Sequence, residues 1–216
     1  MGEFITNIKQ ISVYLPPNTN SLFILDTFLT ISAPTQSLYK EKGSKFMAFS
    51  YPVETEQEVK QCLEILKKSY FDASHHCFAY ILGANQEKYR ANDDGEPSHS
   101  AGTPILGQIR SKNLTDTLVV VVRYFGGTKL GVSGLISAYK TASANALETA
   151  EIIEKTVVLP INIQYNYDET NEIMRLIEQL ALKIQTQNFG IWCEMTLLTK
   201  KSNLLETQEK FKKWVK

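Results

Sequence analysis

At 216 residues with 43% hydrophobic content, the chain is long enough for one large domain or two small ones with a real core. Its 23 basic and 23 acidic side chains balance, so no overall charge attracts it to nucleic acid or to a membrane. No apolar run approaches the ~20 residues of a membrane span, and the N-terminus lacks a signal-peptide pattern. We therefore expect a cytoplasmic protein with no membrane partner.

The cysteines are three in number and widely spaced, at Cys62, Cys77 and Cys193. Because no CxxC pair exists, the sequence predicts neither a disulfide framework nor a zinc site. We expect three inert thiols in apolar surroundings, and we predict no cofactor.

Residues 1–27 fit nothing else in the chain. They include a loop-like stretch with Pro16-Pro17, which cannot join the interior of a sheet. We interpret this segment as an N-terminal extension that is either poorly ordered or not native to the protein.

A first domain is predicted over 28–153, with alternating strands and helices. Its helix at Thr55 opens with a capping box, Thr55-x-x-Glu58, and its alanine-rich last helix suits close packing on a sheet. We predict these elements in chain order: strands over 28–32 and 46–52 separated by a polar turn over 40–43, a helix from Thr55, a strand over 76–83, a polar loop over 86–100, an ambiguous segment over 105–109, a strand over 118–124 and a helix over 135–150.

A second domain is predicted over 157–216, after a junction at Glu154-Lys155. The order β-α-β-β-α predicts a small α+β sandwich with its helices on one face. The predicted elements are a strand over 157–164, a helix capped by Asp168, strands over 182–186 and 191–199, and a helix capped by Asn203.

The run VVVVRYFGGTKLGVSG over 119–134 is the most informative motif. Four valines predict a buried strand, and a glycine-rich turn leads directly into a helix. Such a turn at a helix N-terminus offers free N–H groups to an anion, although the run is neither a P-loop nor a dinucleotide turn. The candidate nucleic-acid or phosphate-binding residues are Arg123, Tyr124, Gly126, Gly127, Lys129, Gly131 and Gly134. The alternative is that the glycines serve only tight turns and close packing.

Local charge favours RNA as the anion. The segment 110–140 holds five basic residues and one acid, and the pair Tyr124-Phe125 adds aromatic surface. Basic residues beside aromatic rings suit contacts with an RNA backbone and its bases. Alternatively, one ring fills the core and the other covers the glycine turn.

A second candidate site combines the strand entry at His75-His76 with the loop over 93–99. Adjacent strand residues point to opposite faces, so at most one histidine faces a given pocket. The loop carboxylates suit Mg²⁺, but the spacing is not that of an EF-hand, and turn chemistry explains the loop equally well. The candidate residues are His75, His76, Asp93, Asp94, Glu96, Ser98 and His99. We predict no metal site and no catalytic residue, since Ser133 is not in a GxSxG elbow.

Three motifs together resemble the Impact family, including its bacterial YigZ-type members. They are DASHHC over 72–77, DDGEPS with AGTPIL over 93–106, and VVRYFGGTKLG over 121–131. The resemblance covers roughly 29–153 closely and the tail more loosely. Two positions depart from it, because family members often carry glycine where this chain has Ser133 and Gly-Thr where it has His99-Ser100.

The resemblance implies an α+β protein of two two-layer α/β sandwich domains. The first would resemble the second domain of a small-subunit ribosomal protein, and the second would be ferredoxin-like and resemble a domain of elongation factor G. The eukaryotic Impact protein regulates translation under stress through protein partners, but its partner-binding function involves a further domain that we do not find here.

We therefore predict a non-enzymatic, translation-associated regulator whose partner is RNA, the ribosome or a translation-related protein, with no evident DNA specificity. The basic glycine-rich loop would make the contact. One alternative is a nucleotide- or phosphate-binding enzyme that uses this loop together with an acidic, Mg²⁺-binding loop. Another is a protein-interaction module that uses the tail over 157–216.

Overall fold

A computed structural model of the protein describes residues 26–215. The predicted N-terminal extension therefore lies outside the described residues, apart from Asp26 and Thr27. The strands are β1 Thr27–Ile31, β2 Thr35–Glu41, β3 Ser44–Pro52, β4 His75–Leu82, β5 Lys88–Asn92, β6 Thr117–Tyr124, β7 Ile152–Thr156, β8 Val158–Tyr165, β9 Lys183–Phe189 and β10 Cys193–Lys200. The α-helices are α1 Glu56–Ser69, α2 Gly102–Ser111, α3 Gly131–Glu148, α4 Thr170–Gln179 and α5 Leu204–Lys210.

The predicted valine strand is the centre of a five-stranded sheet with the order β2-β3-β6-β4-β5. All its strand pairs are antiparallel. Strand β6 is buried from Thr117 to Arg123, because apolar side chains alternate to both faces and each face is covered. The prediction of a buried central strand is confirmed.

Both faces of this sheet carry a core. Helices α2 and α3 pack on one face, where Val119 and Val121 point. Helix α1 packs on the other, where Val120 and Val122 point. The first unit therefore has a third layer besides the two that were predicted. The capping box at Thr55 is present, and it orients α1.

The second unit is a three-stranded antiparallel sheet with the order β8-β10-β9. An antiparallel bridge from Ile163 to Val215 occupies the place of a fourth strand beside β8, which completes the strand order of a ferredoxin-like fold. A single core lies between this sheet and the helices. The predicted α+β class and the β-α-β-β-α order are confirmed.

Strands β1 and β7 pair antiparallel and connect the two units. The predicted junction Glu154-Lys155 falls inside β7, and the short break between β7 and β8 comes at Val157. The exact domain boundaries stay a prediction.

Several local predictions were wrong. Strand β5 lies inside the segment predicted as a loop, and β2 was missed. Both are edge strands with polar, partly or fully exposed residues, so they lack the apolar alternation of a half-buried strand. The ambiguous segment over 105–109 belongs to α2. A capping box at Asn166, rather than Asp168, precedes α4. Asn203 precedes α5 without a side-chain cap.

Within residues 26–215, no helix is long and apolar enough to cross a membrane.

Candidate functional site

The predicted histidine pair, acidic loop and arginine meet at one end of the five-stranded sheet. Glu96 is the centre of this group, and its side chain is 4% exposed. Its Oε1 accepts hydrogen bonds from Arg123 Nη1 at 2.5 Å and from Tyr139 Oη at 2.7 Å. His75 Nε2 lies 3.8 Å from the same oxygen. We call these four residues the Glu96 cluster.

Arg123 is buried, although it was predicted to contact phosphate. Its guanidinium lies over the rings of Phe46 and Phe125, at 5.3 and 5.7 Å from their centroids, and Nη2 donates to Ser44 Oγ at 3.4 Å. With Glu96 as its ion-pair partner, the charge faces the protein interior. The geometry therefore gives Arg123 a structural contact in place of an exposed cation.

Asp93 and Asp94 use their carboxylates to fix the loop. Asp93 Oδ1 accepts from the N–H groups of Ala101 and Gly102 at the start of α2, so it acts as a remote cap for that helix. Its Oδ2 accepts from His99 N. Asp94 Oδ2 accepts from the backbone N–H of His76.

These bonds bear on the idea of a magnesium loop. All three carboxylates of the loop accept hydrogen bonds from the protein. Over the described part of the chain, no cluster of three or more His, Cys, Asp or Glu side chains is arranged to hold a metal ion.

The two histidines diverge as predicted. His75 pairs with Arg123 in the sheet register, whereas His76 pairs with Val122 and faces the opposite core. His75 Nδ1 bonds to the Asp94 carbonyl oxygen at 2.8 Å; because a carbonyl only accepts, Nδ1 carries the proton. Burial lowers the pKa of His76 below its usual value.

Tyr139 was not singled out from the sequence, although it joins two parts of the site. Its hydroxyl donates to Glu96 and also lies 3.3 Å from Cys77 Sγ. Burial raises the pKa values of both Tyr139 and Cys77, so both groups are neutral at physiological pH. The only sequence signal was a polar aromatic residue within an otherwise small-residue helix.

The glycine loop, residues 125–131, leaves the sheet directly after Tyr124 and is exposed apart from the half-buried Leu130. Gly126 packs against the backbone of Gly43 at the tip of the β2–β3 hairpin, and a side chain at either position would collide with the other. Gly127 and Gly131 instead have positive φ angles of 84° and 72° and face open space. Close packing thus explains Gly126, whereas backbone conformation explains the other two.

The backbone of the loop is open to a ligand. Ser74 and Ser44 accept from the N–H groups of Phe125 and Gly126. The N–H groups of Gly127, Thr128 and Lys129 meet no acceptor among residues 26–215. Helix α3 begins at Gly131 without a side-chain cap or an acidic residue in its first turn. Gly134 lies in that turn, close to Leu130.

Two of the five predicted basic residues are engaged by other parts of the protein. Arg110 stacks on Tyr89, 4.6 Å from the ring centroid, and Arg123 is buried. Exposed lysines instead lie on the β2–β3 hairpin, which packs beside the loop and whose tip is a tight turn with positive φ at Lys42 and Gly43. Lys42 adjoins the contact between Gly43 and Gly126, and Lys45 pairs with Tyr124.

The two aromatic residues have different surroundings. Tyr124 packs on the α1 side of the sheet and donates to Asp72 Oδ1 at 2.8 Å, a bond that raises its pKa. Phe125 is 49% exposed and covers the guanidinium of Arg123. One aromatic face is therefore available at the loop.

Comparison with known proteins agrees with the motifs. The model of the Impact N-terminal domain matches residues 42–147. The IMPACT family member YigZ of Escherichia coli is 30% identical over 167 residues, which cover 76% of this chain and 82% of YigZ. The chain belongs to the IMPACT family. The member YvyE of Bacillus subtilis is 35% identical over 144 residues, covering 67% of this chain and 66% of YvyE.

A solved structure confirms the fold of the present chain. The crystal structure of a hypothetical protein superposes with a TM-score of 0.72 and 28% identity, covering 87% of this chain and 92% of the other.

The two departures from the family pattern have different settings. His99 adopts a φ of 62°, a conformation that favours glycine, so the residue found here carries a backbone cost. Ser133 is exposed in the first turn of α3, and Ser98 is exposed in the acidic loop. Ser100 is buried and bonds to the Pro97 carbonyl.

Proposed function

We propose that this IMPACT family protein is a non-enzymatic, translation-associated regulator that binds RNA or the ribosome through the glycine loop. The observation that carries the proposal is the exposed backbone from Gly127 to Lys129, whose N–H groups meet no acceptor among residues 26–215, beside a hairpin that carries exposed lysines. Backbone N–H groups at a helix N-terminus bind phosphate well. Lysines add the sequence-independent attraction that dominates binding to nucleic acid.

The proposed contact set is shifted from the predicted one. Lys42, Lys45 and Lys129 are exposed around the loop and replace Arg123 as phosphate contacts. Phe125 offers one half-exposed ring for base stacking. Glu41 is the acid on the same hairpin, and it accepts from Tyr39 at 2.9 Å.

In this proposal the Glu96 cluster positions the loop and does not perform chemistry. Arg123 is the penultimate residue of β6, the strand from which the glycine loop departs, and its pairing with Glu96 ties that strand end to the acidic loop. Ser44 contacts both Arg123 and the N–H of Gly126. The cluster therefore makes the loop conformation depend on buried, well-defined bonds.

The link to translation rests on the family. The resemblance noted from the sequence implies a translation role for the eukaryotic Impact protein, and this chain shares the Impact N-terminal domain. A ribosomal or RNA partner fits the cytoplasmic location that the composition predicts. The names of the bacterial relatives state no activity.

Co-sedimentation with purified ribosomes tests the proposal. The variant Lys42→Ala/Lys45→Ala/Lys129→Ala should remain folded but should no longer sediment with ribosomes at low salt. The matched control Lys60→Ala/Lys67→Ala/Lys68→Ala removes the same number of positive charges from exposed positions on α1 and should still bind ribosomes. Equal binding by both variants, or no binding by the wild type, would overturn the proposal.

A second candidate function, a phosphate- or nucleotide-binding enzyme, is favoured by His75. His75 donates from Nδ1 to the Asp94 carbonyl, its Nε2 lies 3.8 Å from Glu96 Oε1, and its side chain is 24% exposed, so a positioned imidazole is within reach of a ligand for acid–base chemistry. A thermal shift with ATP or GTP, with and without Mg²⁺, separates the two functions. Ligand at about 100 times its Kd should stabilise the fold by about 2.7 kcal/mol.

A further inference from the structure

Among residues 26–215, the helices of the second unit pack on one face of its sheet and leave the other face without a helix. Ile161, Ile163 and Tyr165 of β8 point into the core with α4. Because strand side chains alternate, Asn162 and Gln164 point the opposite way. Their register partners in β10 are Thr196 and Glu194, and the partners of these in β9 are Thr186 and Asn188. We call these six residues the open face.

The chemistry of the open face is mostly uncharged and hydrogen-bonding. It carries three amides and two hydroxyls, and a groove of about 320 Å³ runs between Asn162, Asn188 and Thr196. Thr196 Oγ1 donates to Asn162 Oδ1 at 2.9 Å. Glu194 is the acid of this set. Amide and hydroxyl groups form hydrogen bonds with the polar edges of a ligand and make few favourable contacts with an apolar partner.

The two ends of the open face differ. At one end, Lys183 and Lys200 are exposed and line a groove of about 440 Å³ with Lys155. Lys155 pairs with Glu54 across the units. At the other end, Trp192 is 52% exposed on the β9–β10 connection.

Trp192 forms part of a further pocket. This pocket of about 490 Å³ is also lined by Gln164, Asn166 and Lys213, and Gln164 belongs to the open face. Lys213 lies over the Trp214 ring at 5.0 Å and pairs with Glu169 at 2.6 Å. An exposed indole beside two amides is a stacking platform next to hydrogen-bonding groups.

We propose that the open face is a binding site for single-stranded RNA. Lys183 and Lys200 contact the backbone, the amides contact base edges, and Trp192 stacks on a base. Strand β10 has eight residues, or about 26 Å at ~3.3 Å per residue. Sequence-tolerant binding of single strands combines these elements, a positively charged groove and aromatic stacking. The site goes beyond the glycine loop, and it rests on the proposed function only in that RNA is the ligand of both.

Two other occupants fit less well. A second copy of the chain would pair along the edge of β9, which no strand within residues 26–215 covers, but the register with β10 shifts between Thr196 and Leu197. Such an irregularity interrupts an edge and protects it from strand addition. An apolar protein surface would dock on Ile191, which is 98% exposed, rather than on the amides.

The test measures binding of a short oligouridine to the full chain by tryptophan fluorescence. The chain has two tryptophans, and Trp214 is buried, so quenching by RNA reports on Trp192. We expect Trp192→Ala to weaken binding about tenfold, within the range for loss of one stacked base, as measured by filter binding. Trp192→Phe should retain most of the affinity. Lys183→Ala/Lys200→Ala should reduce the slope of log K against log salt by about 1.4, or about 0.7 for each lysine.

Ile191→Ala is the matched control, because it removes the neighbouring apolar side chain and leaves the indole. The proposal is overturned if folded Trp192→Ala binds as the wild type does, or if Ile191→Ala weakens binding equally. It is also overturned if the wild type does not bind oligouridine. The lysine variants of the glycine loop keep the two proposals apart: oligouridine binding that survives in those variants and falls in Trp192→Ala supports the open face, whereas oligouridine binding that is lost in those variants and unchanged in Trp192→Ala rejects it. Ribosome binding lost in the lysine variants supports the glycine loop.

Discussion

The Glu96–Arg123 ion pair makes the sharpest prediction about stability. Both side chains are almost fully buried, at 4% and 6% exposure, and the two charged atoms lie 2.5 Å apart. At an effective dielectric constant of about 20, this distance gives a gross attraction of about 7 kcal/mol. Desolvation of the two charges offsets much of that attraction. Glu96→Ala leaves the guanidinium buried without a partner, so the free energy of unfolding should fall by about 3–5 kcal/mol.

Urea denaturation of a double-mutant cycle measures this effect. The four proteins are the wild type, Glu96→Ala, Arg123→Ala and the double variant. Because the two residues touch, we expect a coupling free energy of about 1–3 kcal/mol, so that the double variant is less destabilised than the sum of the single ones. Tyr139→Phe removes only the hydroxyl that bonds to Glu96 and should cost about 1.5–3 kcal/mol.

A small effect of Glu96→Ala would refute this reasoning. If Glu96→Ala costs less than about 1 kcal/mol, the value typical of an exposed ion pair, and the single effects add, then the pair is not buried in solution. Arg123 would in that case be free to contact a phosphate, as the sequence predicted, and the glycine loop would not depend on the Glu96 cluster.

Three further predictions concern the surroundings of the site. Burial lowers the pKa of His76 below 6.5, so the unfolded chain binds a proton near pH 6.5 that the folded chain takes up only at lower pH. The free energy of unfolding should therefore fall as the pH drops from 7.5 to 5.5. The urea midpoint of His76→Leu should fall less over the same pH range. In thermal melts, Gly126→Ala should lower the free energy of unfolding by about 1–3 kcal/mol because its methyl group meets the backbone of Gly43 and Ser44. Gly127→Ala lies in open space with positive φ and should lower it by about 1–2 kcal/mol. Negligible effects of both variants would contradict the packing of the hairpin on the loop. Thr55→Ala removes the capping box of α1 and should cost about 1 kcal/mol by urea denaturation, while an unchanged midpoint would show that the cap does not support α1.

The features that could be predicted from the sequence are those with a local signal. Four consecutive valines before a glycine-rich turn predicted β6 and the exposed loop, and Thr55-x-x-Glu58 predicted the start of α1. The divergence of His75 and His76 followed from strand alternation alone. Each of these depends on neighbours within a few residues.

The features that could not be predicted depend on contacts between distant residues. Glu96 and Arg123 are 27 positions apart, and nothing local shows that a basic residue after a valine strand will face a carboxylate and not solvent. The edge strands β2 and β5 were hidden because pairing, rather than apolar burial, holds them in the sheet. The lysines of the β2–β3 hairpin joined the site only through the contact of Gly43 with Gly126.

The salt dependence of ribosome binding tests the central claim most directly. Each lysine that contacts a phosphate contributes about 0.7–0.9 to the slope of log K against log salt. The account predicts that Lys42→Ala/Lys45→Ala/Lys129→Ala lowers the slope by about 2–3 relative to the wild type, while the matched triple variant of the α1 lysines leaves it unchanged. An unchanged slope in the first variant, or an equal loss in both, would contradict the claim that the glycine loop and its neighbouring lysines bind RNA.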